Sequence, residues 1–167
     1  MAGLSGVFLP PEGDRSYAEN ALVKARALYA VVGVPAIGDD SGLEVDALDG
    51  APGIRSARFA GEEAGDAENN ALLLSRLRGV EPERRTARFR CVLAMVSANG
   101  DLVVEGTCEG VILHAPRGRA GFGYDPLFLP AGESRTFAEL PEGEKDRLSH
   151  RGRAAAALRA SIERTRA

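Results

Sequence analysis

Apolar positions at Tyr17, Ala21, Leu22, Ala25, Leu28 and Tyr29 recur at helical spacing, and Ser16 with Glu19 in front of them forms the Ser-x-x-Glu box that caps a helix start. Gly33 ends the run, because a residue without a Cβ readily takes the left-handed turn that closes a helix. Pro35 to Gly38 then leads into a short apolar strand expected to end at Asp39 and Asp40. Leu43, Val45 and Ala47 alternate as a second extended piece, so the acidic pair is expected at a strand end or tight turn. Gly50 to Gly65, rich in Gly and Ala, reads as an ordered loop that covers something, and Asp66 is expected to cap a helix from Ala67 to Arg78 that Gly79 stops.

The period then changes from helix to strand. Ala87, Phe89, Cys91, Leu93 and Met95 alternate with polar residues at the start, and Leu102, Val104, Gly106, Cys108, Gly110 and Ile112 form a returning strand. Asn99-Gly100 between them predicts a long antiparallel hairpin through a type I′ turn, both of whose central residues need positive φ. A loop from Gly118 to Asp125 follows, and Ser149 to Arg164 reads as a last helix with Ala155, Leu158 and Ile162 on one side. This order predicts an α/β fold in one domain over 1–167: a mixed, twisted sheet containing the long hairpin, flanked by helices.

Composition narrows the chemistry. Of 167 residues, 44% are hydrophobic, enough for a real core. No apolar stretch approaches the roughly 20 residues that span a bilayer, and the opening MAGLSGVFLPPEGD lacks the basic and long apolar segments of a secretory signal, so a soluble, cytoplasmic protein without membrane contact is expected. Two cysteines in strand-like runs, Cys91 and Cys108, read as buried thiols rather than a disulfide framework. Two histidines, His114 and His150, are too few for a zinc or copper cluster, which leaves a hard cation held by carboxylates. A net charge of -3 with scattered Lys and Arg argues against a nucleic-acid-binding surface. The arginines from Arg147 to Arg166 fit either a solvated helix face or contacts to a small polyanion.

Four segments carry candidate chemistry. In Gly38-Asp39-Asp40-Ser41-Gly42, crowded carboxylates suit Mg²⁺ and the activation of a water, or equally a polar turn capped by Asp40 or Ser41. In Gly121-Phe122-Gly123-Tyr124-Asp125, glycines let the backbone approach a ligand and Phe122 offers a flat face to a base, unless its rings pack on the core. Lys145 with Ser149-His150-Arg151 stands at a helix entry, where N–H groups attract anions, though a capping Ser followed by exposed polar residues reads the same. Glu19, Asn20 and Lys24 on the first helix, preceded by Glu12, look by themselves like an ordinary amphipathic surface. Together the four supply carboxylates, a stacking ring, a helix-terminus anion site and separate cations, which is what a nucleotide polyphosphate requires.

The strings SYAENALVKARA (16–27), AIGDDSGLEVDALDGAPGIRSARFAG (36–61), GFGYDPLFLP (121–130) and TFAEL with EKDRLSHRGRAAAAL (136–158) occur in one order over most of the chain. In them the sequence resembles the inosine/xanthosine triphosphate pyrophosphatases, the bacterial non-canonical purine NTP pyrophosphatases. The resemblance implies hydrolysis of ITP, dITP and XTP to monophosphate and pyrophosphate, in nucleotide-pool sanitation, with Mg²⁺ or alternatively Mn²⁺, by a homodimer. It implies Asp40 as proton acceptor and metal ligand, Glu12 as second metal-binding acid, Ser41 as a substrate contact, Lys24 on the triphosphate and Arg58 as a further phosphate contact. Phe122, Gly123, Tyr124 and Asp125 would hold the purine, and Lys145, His150 and Arg151 would bind the nucleotide and recognise its 6-oxo group. Members of that family begin with a strand and a T-x-N-x-x-K phosphate loop, which this sequence lacks ahead of residue 16. An N-terminally short member with a central strand left unpaired is therefore expected, and a catalytically weak nucleotide-binding remnant is the alternative.

Overall fold

The first helix forms as its pattern predicts. In this computed structural model, which describes residues 10–166, α1 runs Tyr17–Val32. The Ser16 side chain accepts the Glu19 N–H at 3.1 Å, and Gly33, at φ 67°, donates its N–H to Tyr29 O. The chain then enters β1, Ala36–Val45, one continuous ten-residue strand. The expected break at Asp39 and Asp40 is absent. Asp and Ser are poor strand formers in isolation, but this segment pairs residue for residue with a later strand, from Ala36 opposite Val96 to Val45 opposite Ala87, and that ladder overrides local preference. The acidic pair therefore lies in mid-strand.

Beyond it come β2 (Pro52–Gly53), α2 (Asp66–Arg76), β3 (Thr86–Ser97), β4 (Gly100–Ile112), β5 (Phe128–Pro130), α3 (Glu142–Leu148) and α4 (His150–Arg166). The strands form one sheet in the order β2-β1-β3-β4-β5, and every pairing among the described residues is antiparallel. The α/β class, the long hairpin and the flanking helices are as expected. On the side of β1 away from β3, only Leu43 and Glu44 have a strand partner among the described residues. Residues 1–9, on which the expectation of an absent N-terminal strand also bears, lie outside the described residues.

Three local details differ from expectation. Ser97 pairs with Gly100, so the hairpin loop is Ala98-Asn99; neither takes positive φ, and Gly100 alone does, at 112°. One glycine after the turn supplies the left-handed residue that a type I′ turn would have asked of two. Helix α2 starts one residue early and is capped at Leu77 rather than running to Arg78. Before α4 there is a separate short helix, α3, and the inner face of α4 carries Ala154 and Leu158, while Ala155 is exposed. Both cysteines are free and buried, as expected.

The sheet has a helix on each face. Helix α1 packs on one, where Tyr17, Ala21 and Ala25 meet Val92, Ala94 and Val96; α4 packs on the other, where Ala154 and Leu158 meet Cys91 and Leu93. The larger core adjoins α4, with Leu43, Val45, Leu73, Leu77, Phe89, Phe128 and Phe137. Each helix rests on a glycine. A Cβ on Gly38 in β1 would lie 2.1 Å from Ala21 O, and one on Gly106 in β4 would lie 2.3 Å from His150 O and from Ala154 N.

Gly38→Ala and Gly106→Ala should each lower stability by about 1–3 kcal/mol, since backbone is what must move. Gly143→Ala, in α3 with nothing near its Cβ, should be neutral or stabilising. Urea unfolding of the three variants checks this, and equal midpoints would refute the close seating of the helices.

Candidate active site

Successive side chains of a strand point to opposite faces, so Asp40 and Asp39 serve different neighbourhoods. Asp40 turns toward α1. Its Oδ1 accepts from Lys24 Nζ at 2.9 Å and its Oδ2 from Asn20 Nδ2 at 3.1 Å, while only 5% of the residue is exposed. Asn20 also clasps Gly13, accepting its N–H at 2.9 Å and donating to its carbonyl at 3.0 Å. That clasp brings in Glu12, which lies 2.5 Å from Lys24 Nζ and 3.2 Å from Arg58 Nη1. Lys24 thus sits between two carboxylates, and a small cavity of about 140 Å³ opens there among Pro10, Glu12, Asn20 and Lys24.

Burial raises the Asp40 pKa above the ordinary carboxylate value, by more than the bonds from Lys24 and Asn20 lower it. Glu12 shifts the other way: burial pushes its pKa up, but Lys24 and Arg58 outweigh that and hold it down. Burial also works against the charge on Lys24, yet its two carboxylate partners raise its pKa. The cluster therefore holds a firmly charged lysine, a firmly charged glutamate and a more basic aspartate.

Asp39 turns toward α4. Its carboxylate accepts from Arg151 Nε and Nη2, both at 3.1 Å, and from Ser41 Oγ at 3.0 Å. Arg151 belongs to the wall of a cavity of about 390 Å³ formed with Phe89, Phe122, Asp125, Phe137, Lys145 and His150 among others. Phe122 is 61% exposed, so its ring is free to receive a flat partner; Lys145 Nζ stands 4.9 Å and Arg151 Cζ 5.3 Å from its centroid. Lys145 pairs with the buried Asp125 carboxylate, which also accepts the Phe122 N–H at 2.9 Å. The His150 ring stacks on Phe89 at 4.7 Å and leaves Nδ1 buried without a partner among the described residues. Burial first, and the Arg151 charge second, push its pKa down to about 3, so the imidazole is neutral.

The residues singled out in the sequence thus fall into two groups. Phe122, Asp125, Lys145, His150 and Arg151 line the larger cavity; Glu12, Lys24, Asp40 and Arg58 form the cluster under α1. Ser41 stands with Asp39 on the α4 side. Gly123 and Tyr124 do not line the cavity: the Tyr124 hydroxyl donates to Ser56 O at 2.9 Å in the core, and the Gly123 backbone is held by α2. One bond joins the groups, since Lys24 Nζ also donates to Asp39 O at 3.0 Å. Two linking residues were missed: Asn20 had no assigned role, and Asp39, expected to crowd with Asp40 around a cation, instead turns to Arg151 on the other face. Asn20 reads in the sequence as part of an ordinary amphipathic surface, although its place one turn from Tyr17 and beside Ala21 puts it on the buried face of α1, whereas nothing local signals the contact of Asp39 with a residue 112 positions later.

The Ham1 family model matches residues 2–161. The chain is 55% identical over 144 residues to a dITP/XTP pyrophosphatase of Desulforamulus reducens, covering 86% of this chain and 72% of that protein. It is 49% identical over 168 residues to one of Mycobacterium tuberculosis, covering 94% and 82%. Among solved structures, a Ham1 protein of Staphylococcus aureus superposes with a TM-score of 0.85 at 40% identity, covering 92% of this chain and 79% of that one. A nucleoside-triphosphatase, named also dITP/XTP pyrophosphatase, of Mycobacterium abscessus gives a TM-score of 0.75 at 50% identity, covering 89% and 76%.

The neutral His150 carries a pH signature. Between its ordinary value of 6.5 and its folded value of about 3, the unfolded chain binds a proton that the folded chain does not. Stability therefore falls as pH drops through that window. His150→Gln should lose less stability than the wild type between pH 7 and pH 5, by on the order of 1–2 kcal/mol in urea titrations. Parallel losses in both proteins would show that the imidazole is not buried neutral.

Proposed function

The chain belongs to the Ham1 family, and on that premise we propose that it hydrolyses the non-canonical purine nucleoside triphosphates ITP, dITP and XTP to the monophosphate and pyrophosphate, removing them from the nucleotide pool. The observation that carries the reading at the level of residues is the buried carboxylate of Asp40, held by Lys24 and Asn20 and tied through Lys24 and Asp39 to a cavity walled by a ring, an ammonium, a guanidinium and a neutral imidazole.

Asp40 is the base. A raised pKa brings a weak carboxylate base closer to working pH, and fixed donors on both oxygens hold it in one orientation. It would orient a water for in-line attack on the α-phosphorus and take its proton. Lys24 and Arg58 would receive the negative charge that moves onto the departing pyrophosphate. In the larger cavity the purine would lie against Phe122, with Lys145, His150 and Arg151 around its 6-position and Ser41 toward the nucleotide. Donors there favour a 6-oxo group; a 6-amino group would face them with another donor and leave buried groups unpaired, a mismatch worth up to about 10⁴-fold in favourable sites.

Glu12 and Asp40 fit a hard divalent cation: both are oxygen donors, and they already share one cation, the Lys24 ammonium. Among the described residues no group of three or more His, Cys, Asp and Glu could hold a metal, so substrate phosphates and water would complete the shell, the usual arrangement for Mg²⁺. Bound there, Mg²⁺ or Mn²⁺ would supply charge neutralisation on the phosphates. No helix among the described residues is long and apolar enough to cross a membrane. We place the enzyme in the cytoplasm and, as the family resemblance implies, as a homodimer; size-exclusion chromatography with light scattering tests the dimer.

With Mg²⁺, ITP should release pyrophosphate far faster than ATP does, and Asp40→Asn should lower kcat by on the order of a thousandfold. EDTA should abolish turnover and excess Mg²⁺ restore it. Orthophosphate as the product, or a folded chain that binds ITP without turning it over, would refute the reading; turnover that survives EDTA would remove the metal from it.

A further inference from the structure

We propose that Asp66 and Asn70 on α2 are positioning residues that hold the base-binding loop in register, and so set selectivity between 6-oxo and 6-amino purines; this rests on the function proposed above. Phe122, the exposed ring of the cavity wall, meets the Lys145 and Arg151 cations, and its backbone N–H is held by Asp125. The next residue, Gly123, takes φ +59° and has both backbone polar groups captured by α2. Its N–H donates to Asp66 Oδ2 at 2.6 Å, and its carbonyl accepts from Asn70 Nδ2 at 2.8 Å. Asp66 and Asn70 are four residues apart, one above the other on a helix, so a single face brackets one residue of the loop.

The bracket is itself anchored. Asn70 Nδ2 also donates to Asp66 O at 2.8 Å, and the adjacent Asn69, 3% exposed, accepts from Ala60 N at 2.8 Å and donates to Ala57 O at 3.0 Å. Those two residues flank Arg58, which meets Glu12 in the cluster under α1. Helix α2 thus grips the base loop with one pair of side chains, Asp66 and Asn70, and the Arg58 segment with a single one, Asn69. Freed from Asp66 and Asn70, the loop would let Phe122 and Asp125 drift. One of the donors that reject a 6-amino group, Lys145, depends on Asp125, which holds it.

Asp66 is exposed, so its replacement tests placement rather than folding. Asp66→Ala and Asn70→Ala should raise KM for ITP about tenfold with kcat changed much less, and should lower the ITP-to-ATP ratio of kcat/KM. Asp66→Asn keeps an oxygen that can accept the Gly123 N–H while losing the charge, and should restore both values. Hydrogen exchange at the Gly123 amide should accelerate in Asp66→Ala and not in Asp66→Asn. A wild-type ratio in the Ala variants, or failure of Asp66→Asn to rescue, would overturn the positioning role while leaving the pyrophosphatase reading intact. Failure of the wild type itself to discriminate ITP from ATP would overturn that reading, and this inference with it.

Discussion

A β-strand cannot point two consecutive side chains the same way, and the site depends on that constraint. Had Asp39 and Asp40 sat in a turn, both carboxylates could have converged on one cation. Within β1 they diverge, Asp40 to Lys24 and Asn20, Asp39 to Arg151 and Ser41. One strand step then joins what would act on phosphate to what would hold the purine. On the proposed function, the spacing between the two ends of the nucleotide would be set by covalent geometry rather than by the packing of separate loops, and the Lys24 bond to the Asp39 carbonyl would reinforce it.

Burying Asp40 is costly, and the neighbours show how the cost is met. An isolated carboxylate at 5% exposure would simply take up a proton. Here an ammonium and an amide satisfy one oxygen each, so the group stays usable as a base while its proton affinity rises. Asn20 does this with an amide whose other contacts are to the Gly13 backbone. Because the same side chain fixes the segment carrying Glu12, the second acid is placed by the residue that orients the first. Asp39 obeys the opposite balance: burial raises its pKa, but the paired bonds from Arg151 outweigh it and hold the group charged.

What could be read in advance follows from the range of the forces involved. Helix α1, its cap and its stop rest on neighbours a few residues apart, and the hairpin and the burial of both cysteines follow from the alternation within the strands that form them, so all were legible. The larger cavity was legible as a set of residues through the family resemblance, because Phe122, Asp125, Lys145, His150 and Arg151 each admit an ordinary structural reading in their own segment. The continuous course of β1 was not, since it is enforced by β3 some fifty residues later against the local preference of Asp39-Asp40-Ser41. Nor was the inward turn of Tyr124, which the resemblance placed with the purine but whose hydroxyl finds Ser56 in the core.

The two glycines under the helices gain meaning from this arrangement. Gly38 lies two residues before Asp40 on the same face of β1, and its missing Cβ lets α1 approach until Ala21 O would almost touch it. Lys24 and Asn20 stand on that helix, so the approach fixes the reach of both to Asp40. Gly106 does the same under α4, letting His150 and Ala154 settle on β4 and with them the first turn that carries Arg151. Any side chain at either glycine would lift a helix by a fraction of an ångström or more. Displacements of that size matter where reacting groups must meet at about 3 Å. On the proposed function, the small residues in the sheet would act on chemistry through helix height, and the sheet that forms the core would also set the distances of the site.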